Sequence, residues 1–500
     1  MAPFPARHTG QNIALGLDAM LDDLGLNGED WELFAVSDNA ANAKLGIRMS
    51  KHLTQHLCTI HTLELGVKDT FKRTQGMKIV IGKTKAIGKF THESTVATNE
   101  LKKEAEKAGV KFKKIANPPT TRWSGYYMNL KSVYDLRKPL QSLASSNERW
   151  SEYGLSVAQW KLVEGAVKLL KPVKDTIKVW ETEIEPTMQT VIEQLHNLHD
   201  IIDEFVDDKN NSKYGIGFAK ELKLQIEKRF PNKGGDDRVK RMANYLSPHL
   251  KGLHLIDMNL LEDTKKDIEE EVKKQATNED DNQEVNEVEE TTDKTIPPLS
   301  PTSKLRKKLK TQLTTQTQFR GQRSQMTPLE KEMDLYLTYS YSKKGQSILK
   351  WWKRYEKLLP LLSQVAKKVL SIPASSSKSE RVFSCGGNFV TKKRNKLAAK
   401  KVEDLIVIKE NKSKIEVFMK ESSYQLKEVE HTPFDNITVD QVIANLDVEE
   451  EEDEEDDVFG DHDDNCEVLF FINEEYDSEN ESESDSEEEL ESEEIDEILL

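Results

Sequence analysis

Two carboxylates stand where a carboxylate could do chemistry. Asp38 closes a short apolar run, LFAVSDNAAN, where Asp-Asn turn chemistry stops a buried strand, and strand ends are where side chains leave a sheet for a cleft. Glu380 lies in IPASSSKSERVFSCGGNFVTKKRNKL, behind three serines and at the start of an expected helix. A carboxylate so placed can ligate a hard cation or carry a proton; it can equally be half of a structural ion pair or a helix-end charge, and capping the next helix is the simpler role for Asp38. Cys58 and His61 form a CxxH pair that lacks a second pair at the spacing a zinc site needs. Lys392, Lys393, Arg394 and Lys396 make a basic turn that either touches phosphates or is simply solvated.

The elements that must position these residues are mostly helical. Ile13, Leu17, Met20, Leu21 and Leu24 predict an amphipathic helix over 10–26 ending near Gly25, followed by the strand from Leu33 and a strand running into a helix over 53–70. Residues 155–205 and 217–230 carry helical spacing throughout. The strongest pattern is 346–371, where Ile348, Trp351, Trp352, Tyr355, Leu358, Leu359, Leu362, Val365, Ala366, Val369 and Leu370 share one stripe, interrupted by Pro360 as the first residue of a second helix. VEDLIVIKEN (402–411) predicts a last helix. Between these blocks, residues 262–327 offer little to bury and predict a disordered linker, within which KLRKKLK (304–310) is either a nuclear-import or nucleic-acid contact or a solvated run.

Charge is segregated along the chain. The net charge is −17, yet Asp447 to Leu500 holds 29 acidic residues and no Lys or Arg, so residues 1–446 carry 72 basic against 60 acidic side chains. A basic body favours a polyanionic partner, and an acidic tail can compete with one. Three cysteines without CxxC spacing point to a reducing compartment. No apolar run approaches the roughly 20 residues of a spanning helix, and MAPFPARHTG has no signal-peptide core, so a soluble intracellular chain without a membrane partner is expected.

Taken in order, HTGQNI, VSDNAANAK, CTIHTLELGVKD, TTRWSGYY, WWKRYEKLLPLLSQVAKKVLSIPASSSKSERVFSCGGNFVTKKRNKL and VEDLIVIKEN resemble the hAT superfamily of transposases, its domesticated host derivatives and their BED-type zinc finger relatives. The blocks cover roughly residues 3–260 and 328–411. The resemblance implies a ribonuclease-H-like fold split by a long helical insertion, a C-terminal region that pairs chains, and three carboxylates that hold two divalent metal ions for strand cleavage and transfer. By that resemblance Asp38 is the second acid and Glu380 the third. The first, which in the family precedes HTGQNI, has no counterpart, because only seven residues precede His8. The expectation is therefore no enzyme, with both acids vestigial, and no cofactor; Mg²⁺ would enter only with a complete catalytic site.

The resemblance also makes Arg122 and Trp123 a pair that stacks on a flipped base, although the residues themselves read equally as an aromatic anchor. Cys58 and His61 become a structural motif. Phe383, Val402, Leu405 and Ile406, with Val382 and Leu397, become dimerisation contacts.

The expected fold is mixed α/β dominated by helix: a partial ribonuclease-H-like core (1–130), a helical insertion (131–261), the disordered linker (262–327), the hAT C-terminal dimerisation region (328–411), a polar extension (412–446) and a disordered acidic tail (447–500). In the tail, Val468 to Ile472 could bind a partner as a strand, with Ser478, Ser482, Ser484 and Ser486 as kinase sites, or the whole could simply solubilise. The expected function is a catalytically inactive, hAT-transposase-derived nuclear protein that dimerises with itself or a related hAT-derived chain, with DNA as a further partner. The alternative is a DNA transposase whose N-terminal part is missing from this sequence.

Overall fold

Apolar residues at helical spacing dominate the sequence, and helices dominate the fold. The computed structural model describes residues 7–26, 33–117, 123–253, 255, 260–277, 326–339, 346–390 and 397–426. In chain order they form α1 (Gly10–Asp23), β1 (Leu33–Ser37), α2 (Ala41–Met49), β2 (Leu53–Leu57), α3 (Thr59–Arg73), α4 (Met77–Glu93), α5 (Thr95–Lys107), α6 (Trp123–Asp135), α7 (Arg137–Ser146), α8 (Glu148–Ser151), α9 (Val157–Trp180), α10 (Val191–Asp207), α11 (Lys213–Arg229), α12 (Arg238–Tyr245), α13 (Leu261–Thr277), α14 (Pro328–Thr338), α15 (Ile348–Tyr355), α16 (Pro360–Leu370), α17 (Ser377–Phe389) and α18 (Ala399–Leu426). They divide into two compact units, Ala2–Glu380 and Arg381–Leu500.

The first unit begins with the HTGQNI block. Thr9 caps α1 by accepting from the Asn12 amide at 3.3 Å, and the Asn12 side chain donates to the Arg7 carbonyl at 2.7 Å. A Cβ on Gly10 would stand 2.5 Å from Leu45 Cγ, and one on Gly46 would overlap Ile13, so α1 and α2 cross on two glycines. Helix α2 is also the crossover that lets β1 and β2 pair in parallel, with Leu33 opposite Leu53 and Ser37 opposite Leu57. This open two-stranded sheet beside many helices is in keeping with a partial ribonuclease-H-like fold carrying a helical insertion.

The helical body packs around one large core that includes Leu63, Val67, Leu130, Val163, Leu170, Phe218 and Leu222. Helix α9 starts at a capping box in which Ser156 and Gln159 satisfy each other's backbone amides. It meets α11 at a second pair of glycines, where a Cβ on Gly165 would lie 2.6 Å from Gly215 Cα. A smaller core gathers Ile87, Leu101, Ile115, Leu140, Trp150 and Trp160, with Phe90 stacked on Tyr153 at 4.6 Å.

The apolar stripe of 346–371 belongs to this same core, except Leu358, which is exposed in the turn before Pro360. Pro360 opens α16 as its first residue. Trp352 stacks on Tyr336 with centroids 5.4 Å apart and donates its indole N–H to the Leu246 carbonyl at 3.0 Å, while the Tyr336 hydroxyl donates to the Tyr245 carbonyl at 2.9 Å. Glu332 accepts from the Leu361 and Leu362 amides at 3.2 and 2.9 Å, placing a carboxylate at the positive end of α16.

Lys251 lies at the centre of this packing, 1% exposed, with φ +48°. Its ammonium donates to the Tyr336 and Tyr339 carbonyls, both at 2.7 Å, satisfying the exit of α14. Burial pushes its pKa down to about 7. A lysine whose folded pKa is depressed destabilises the fold when protonated, so its contribution improves as pH rises from about 7 towards 10.5. Lys251→Met keeps the stem but leaves both carbonyls without this donor, and is expected to cost about 2 kcal/mol at pH 9. In urea unfolding, the gap to wild type should narrow as pH falls from about 10.5 to about 7 and level off below that; a gap independent of pH would contradict this.

Helix α13 corrects the predicted linker, whose first sixteen residues are helical. The charged run EDTKKDIEEEVKK hides Thr264, Ile268 and Glu271, spaced at four and three residues so that they share one buried face. Glu271 meets Lys368 at 2.6 Å, Arg238 at 3.1 Å and Lys274 at 3.4 Å, and the Lys368 ammonium lies 5.9 Å from the Phe34 ring of β1. A pattern that looks solvated from composition is thus tied down by charge. Residues 278–325 and 427–500, including KLRKKLK and the tail serines, lie outside the described residues.

In the second unit, Cys385, Leu405 and Ile406 are buried, and Ile406 packs over Gly386, where a Cβ would meet Ile406 Cδ1 at 3.0 Å. Helix α18 runs well beyond the predicted 402–411.

Candidate functional site

Asp38 leaves the end of β1 exposed, and its Oδ1 accepts the Ala40 amide at 3.1 Å, a turn that launches α2. Glu380 is also exposed, in the first turn of α17, and accepts from the Ser376 hydroxyl at 3.3 Å. Both carboxylates thus make local hydrogen bonds near the starts of helices, Asp38 to a backbone amide and Glu380 to a serine hydroxyl. Among the described residues, no three His, Cys, Asp or Glu side chains gather as a metal site requires. The oxygen donors of Asp38 and Glu380 suit Mg²⁺ in kind, but two fall short of the three-carboxylate set that the resemblance implies.

Cys58 is 1% exposed and caps α3, its sulfur accepting the His61 amide at 3.5 Å, while its own amide donates to Ser37 at 2.7 Å. The CxxH pair thus joins the sheet to α3 through Cys58, with His61 contributing its backbone. Trp123 is buried at the start of α6, where its indole N–H donates to Glu64 Oε1 at 3.0 Å. In this structure it anchors α6 on α3. Arg122, Lys392, Lys393 and Arg394 lie outside the described residues.

Of the four dimerisation residues, Leu405 and Ile406 are buried, Val402 is half-buried, and Phe383 is 64% exposed. Val390 and Val407 join Phe383 among the exposed apolar residues of α17, its end and α18.

The sequence reading missed a titratable group beside the sheet. His56, opposite Val36 on β2, is buried; burial lowers its pKa, against a raising influence from the Asp237 carboxylate, and Lys240 lowers it further. Asp237 caps α12, accepting the Lys240 backbone amide at 3.1 Å and its ammonium at 2.6 Å. Burial opposes ionisation of Asp237, but the charges of Lys240 and His56 and the Lys240 hydrogen bonds outweigh it and hold the carboxyl below its ordinary range. The available signal was Asp237 standing as an N-cap before RVKRM. Nothing local in the sequence joined it to a histidine 181 positions earlier.

Residues 332–412 match the hAT family C-terminal dimerisation region, and residues 57–169 match the ZBED1 RNase-like helical domain. The chain is 24% identical over 428 residues to a "Putative AC transposase" of Zea mays, across 81% of this chain and 51% of that protein. It is 41% identical over 81 residues to a "Putative AC9 transposase" of Zea mays, across 16% of this chain and 10% of that protein. The chain thus spans about half the length of the first relative and a tenth of the second. No helix among the described residues is long and apolar enough to cross a membrane. With the open sheet, the helical body and the C-terminal helices in this order, the chain is a hAT superfamily transposase-like protein carrying an RNase-like helical domain and a C-terminal dimerisation region.

Proposed function

We propose that this chain is a nuclear, hAT-transposase-derived protein that works by pairing with a second copy or a related hAT-derived chain, and that it performs no strand transfer. The observation that carries the proposal is the exposure of three apolar side chains, Phe383, Val390 and Val407, within the matched dimerisation region in which Cys385, Leu405 and Ile406 are buried. Large apolar side chains left exposed favour a covering partner. The local hydrogen bonds of Asp38 and Glu380 support the non-catalytic reading, the basic body supports DNA as a further partner, and KLRKKLK supports nuclear import.

Light scattering on the full chain should give a dimer at micromolar concentration. Phe383→Asp combined with Val407→Asp should weaken pairing by about tenfold or more, since each aspartate would place a charge in a desolvated contact. A wild-type chain that stays monomeric would overturn the proposal. A fluorescent fusion of the full chain should concentrate in the nucleus, and uniform distribution would count against that part of it.

The name of both relatives, transposase, favours a second reading in which chains of this kind transfer DNA strands. Mg²⁺-dependent nicking of a duplex by the full chain would establish that reading instead.

A further inference from the structure

Between Leu57 and Leu169 the sequence holds 20 basic and 10 acidic residues, and the structure gathers part of that excess on one surface. On α4, Lys78, Lys85 and Lys89 are spaced by seven and four residues, which at 3.6 residues per turn keeps them within an arc of about 40°. The opposite side of the helix carries the buried Val80, Thr84 and Ile87.

Alongside α4 runs segment 110–117, which belongs to no helix or strand. His92 Nε2 contacts the Ile115 carbonyl at 2.8 Å, and a Cβ on Gly88 would stand 3.3 Å from the Ala116 carbonyl, so the segment lies against the C-terminal half of α4. Val110 and Phe112 pack on the smaller core, Ile115 is buried, and Lys111, Lys113 and Lys114 are exposed.

We propose that this lysine surface, α4 together with Lys111, Lys113 and Lys114, binds the phosphate backbone of duplex DNA without reading bases. The inference rests on the proposal that the basic body is a DNA partner, and it names the surface. No ion pair engages Lys78, Lys111, Lys113 or Lys114 among the described residues, so their charge is open to an outside anion.

The nearby acids are largely occupied. Glu93 faces Lys89 at 3.9 Å, and Glu104 accepts from Ser142 at 2.6 Å and Lys107 at 3.0 Å. Glu106 is exposed and adjoins the surface without reversing its sign. Between the lysines of α4 stand Ile79, Gly82 and Ala86, whose side chains carry no donor or acceptor for a base edge. Phosphate contacts position a protein on a duplex without specifying sequence, and flexible lysines suit that kind of contact.

The test is fluorescence anisotropy of the full chain with a mixed-sequence duplex of about 30 base pairs, titrated from 50 to 200 mM salt. Lys111→Ala, Lys113→Ala and Lys114→Ala together should reduce affinity about tenfold or more and flatten the slope of log K against log salt by about 2.7, at roughly 0.9 per lost phosphate contact. Lys171→Ala with Lys178→Ala, at exposed positions of α9, should have a much smaller effect. All three proteins should unfold at the same temperature. Failure of the wild type to bind would overturn the DNA-partner proposal itself. Binding by the wild type with an unchanged slope in the triple variant, or an equal loss in the α9 variant, would overturn this assignment alone.

Discussion

Glu271→Ala is expected to destabilise the first unit by about 3–5 kcal/mol, the range for removing one partner of a buried ion pair. Glu271 is 5% exposed and binds Lys368 at 2.6 Å, with Arg238 and Lys274 close by. Its loss strands the Lys368 ammonium beneath the Phe34 ring and removes the charge that ties α13 to α12 and α16. Burial alone would raise the Glu271 pKa, but the Lys368 hydrogen bond and the charges of Lys368, Lys274 and Arg238 overcome it and hold the carboxyl below 4.5. A depressed carboxylate stabilises above its unfolded pKa and loses that contribution as pH falls through the folded one. The gap between wild type and variant in guanidinium unfolding should therefore be full at pH 7 and shrink below pH 4.5. A destabilisation under about 1 kcal/mol at pH 7 would mean that α13 is not held by this network.

The second large effect is expected at Gly165. A leucine there would drive its Cβ to 2.6 Å from Gly215 Cα, and the obstacle is backbone, which no rotamer change can relieve. Helices α9 and α11 would have to separate, opening contacts around the fully buried Phe218 and Leu222, at about 3 kcal/mol or more. The reverse substitution is gentler. On Gly215→Ala the new Cβ meets Phe205 Cζ at 3.2 Å, a side-chain atom that can shift, so a loss of about 1 kcal/mol is expected. Thermal unfolding of the two variants should rank them in that order, and equal midpoints would show that the crossing is not closed.

Much of the fold was legible because local rules and tertiary packing agree in it. The helix over α1, the strands at Leu33 and Leu53 and the Pro360 break all follow from spacing and turn chemistry. Helix α13 was not legible, because its buried face has one aliphatic residue per two turns and is completed by Glu271, whose partners are 33 positions before and 97 after it. The candidate site was legible residue by residue and less so in role. Asp38 as a turn residue follows from its neighbours, although the helix it precedes has Ala40 and not Asp38 at its cap, whereas Trp123 finding Glu64 and His56 finding Asp237 depend on chain crossings that no window of sequence contains.

The docking of Trp352 and Tyr336 onto the Leu246 and Tyr245 carbonyls bears on how pairing can be measured. A fragment cut to the matched boundary, 332–412, would begin inside α14, lose its Thr327–Glu330 capping box, and present the 348–370 stripe to water without the helices that cover it. Such a fragment would aggregate through surface that the intact chain keeps inside. Self-association of the excised region would thus report an exposed core, and only the whole chain can answer whether two copies meet.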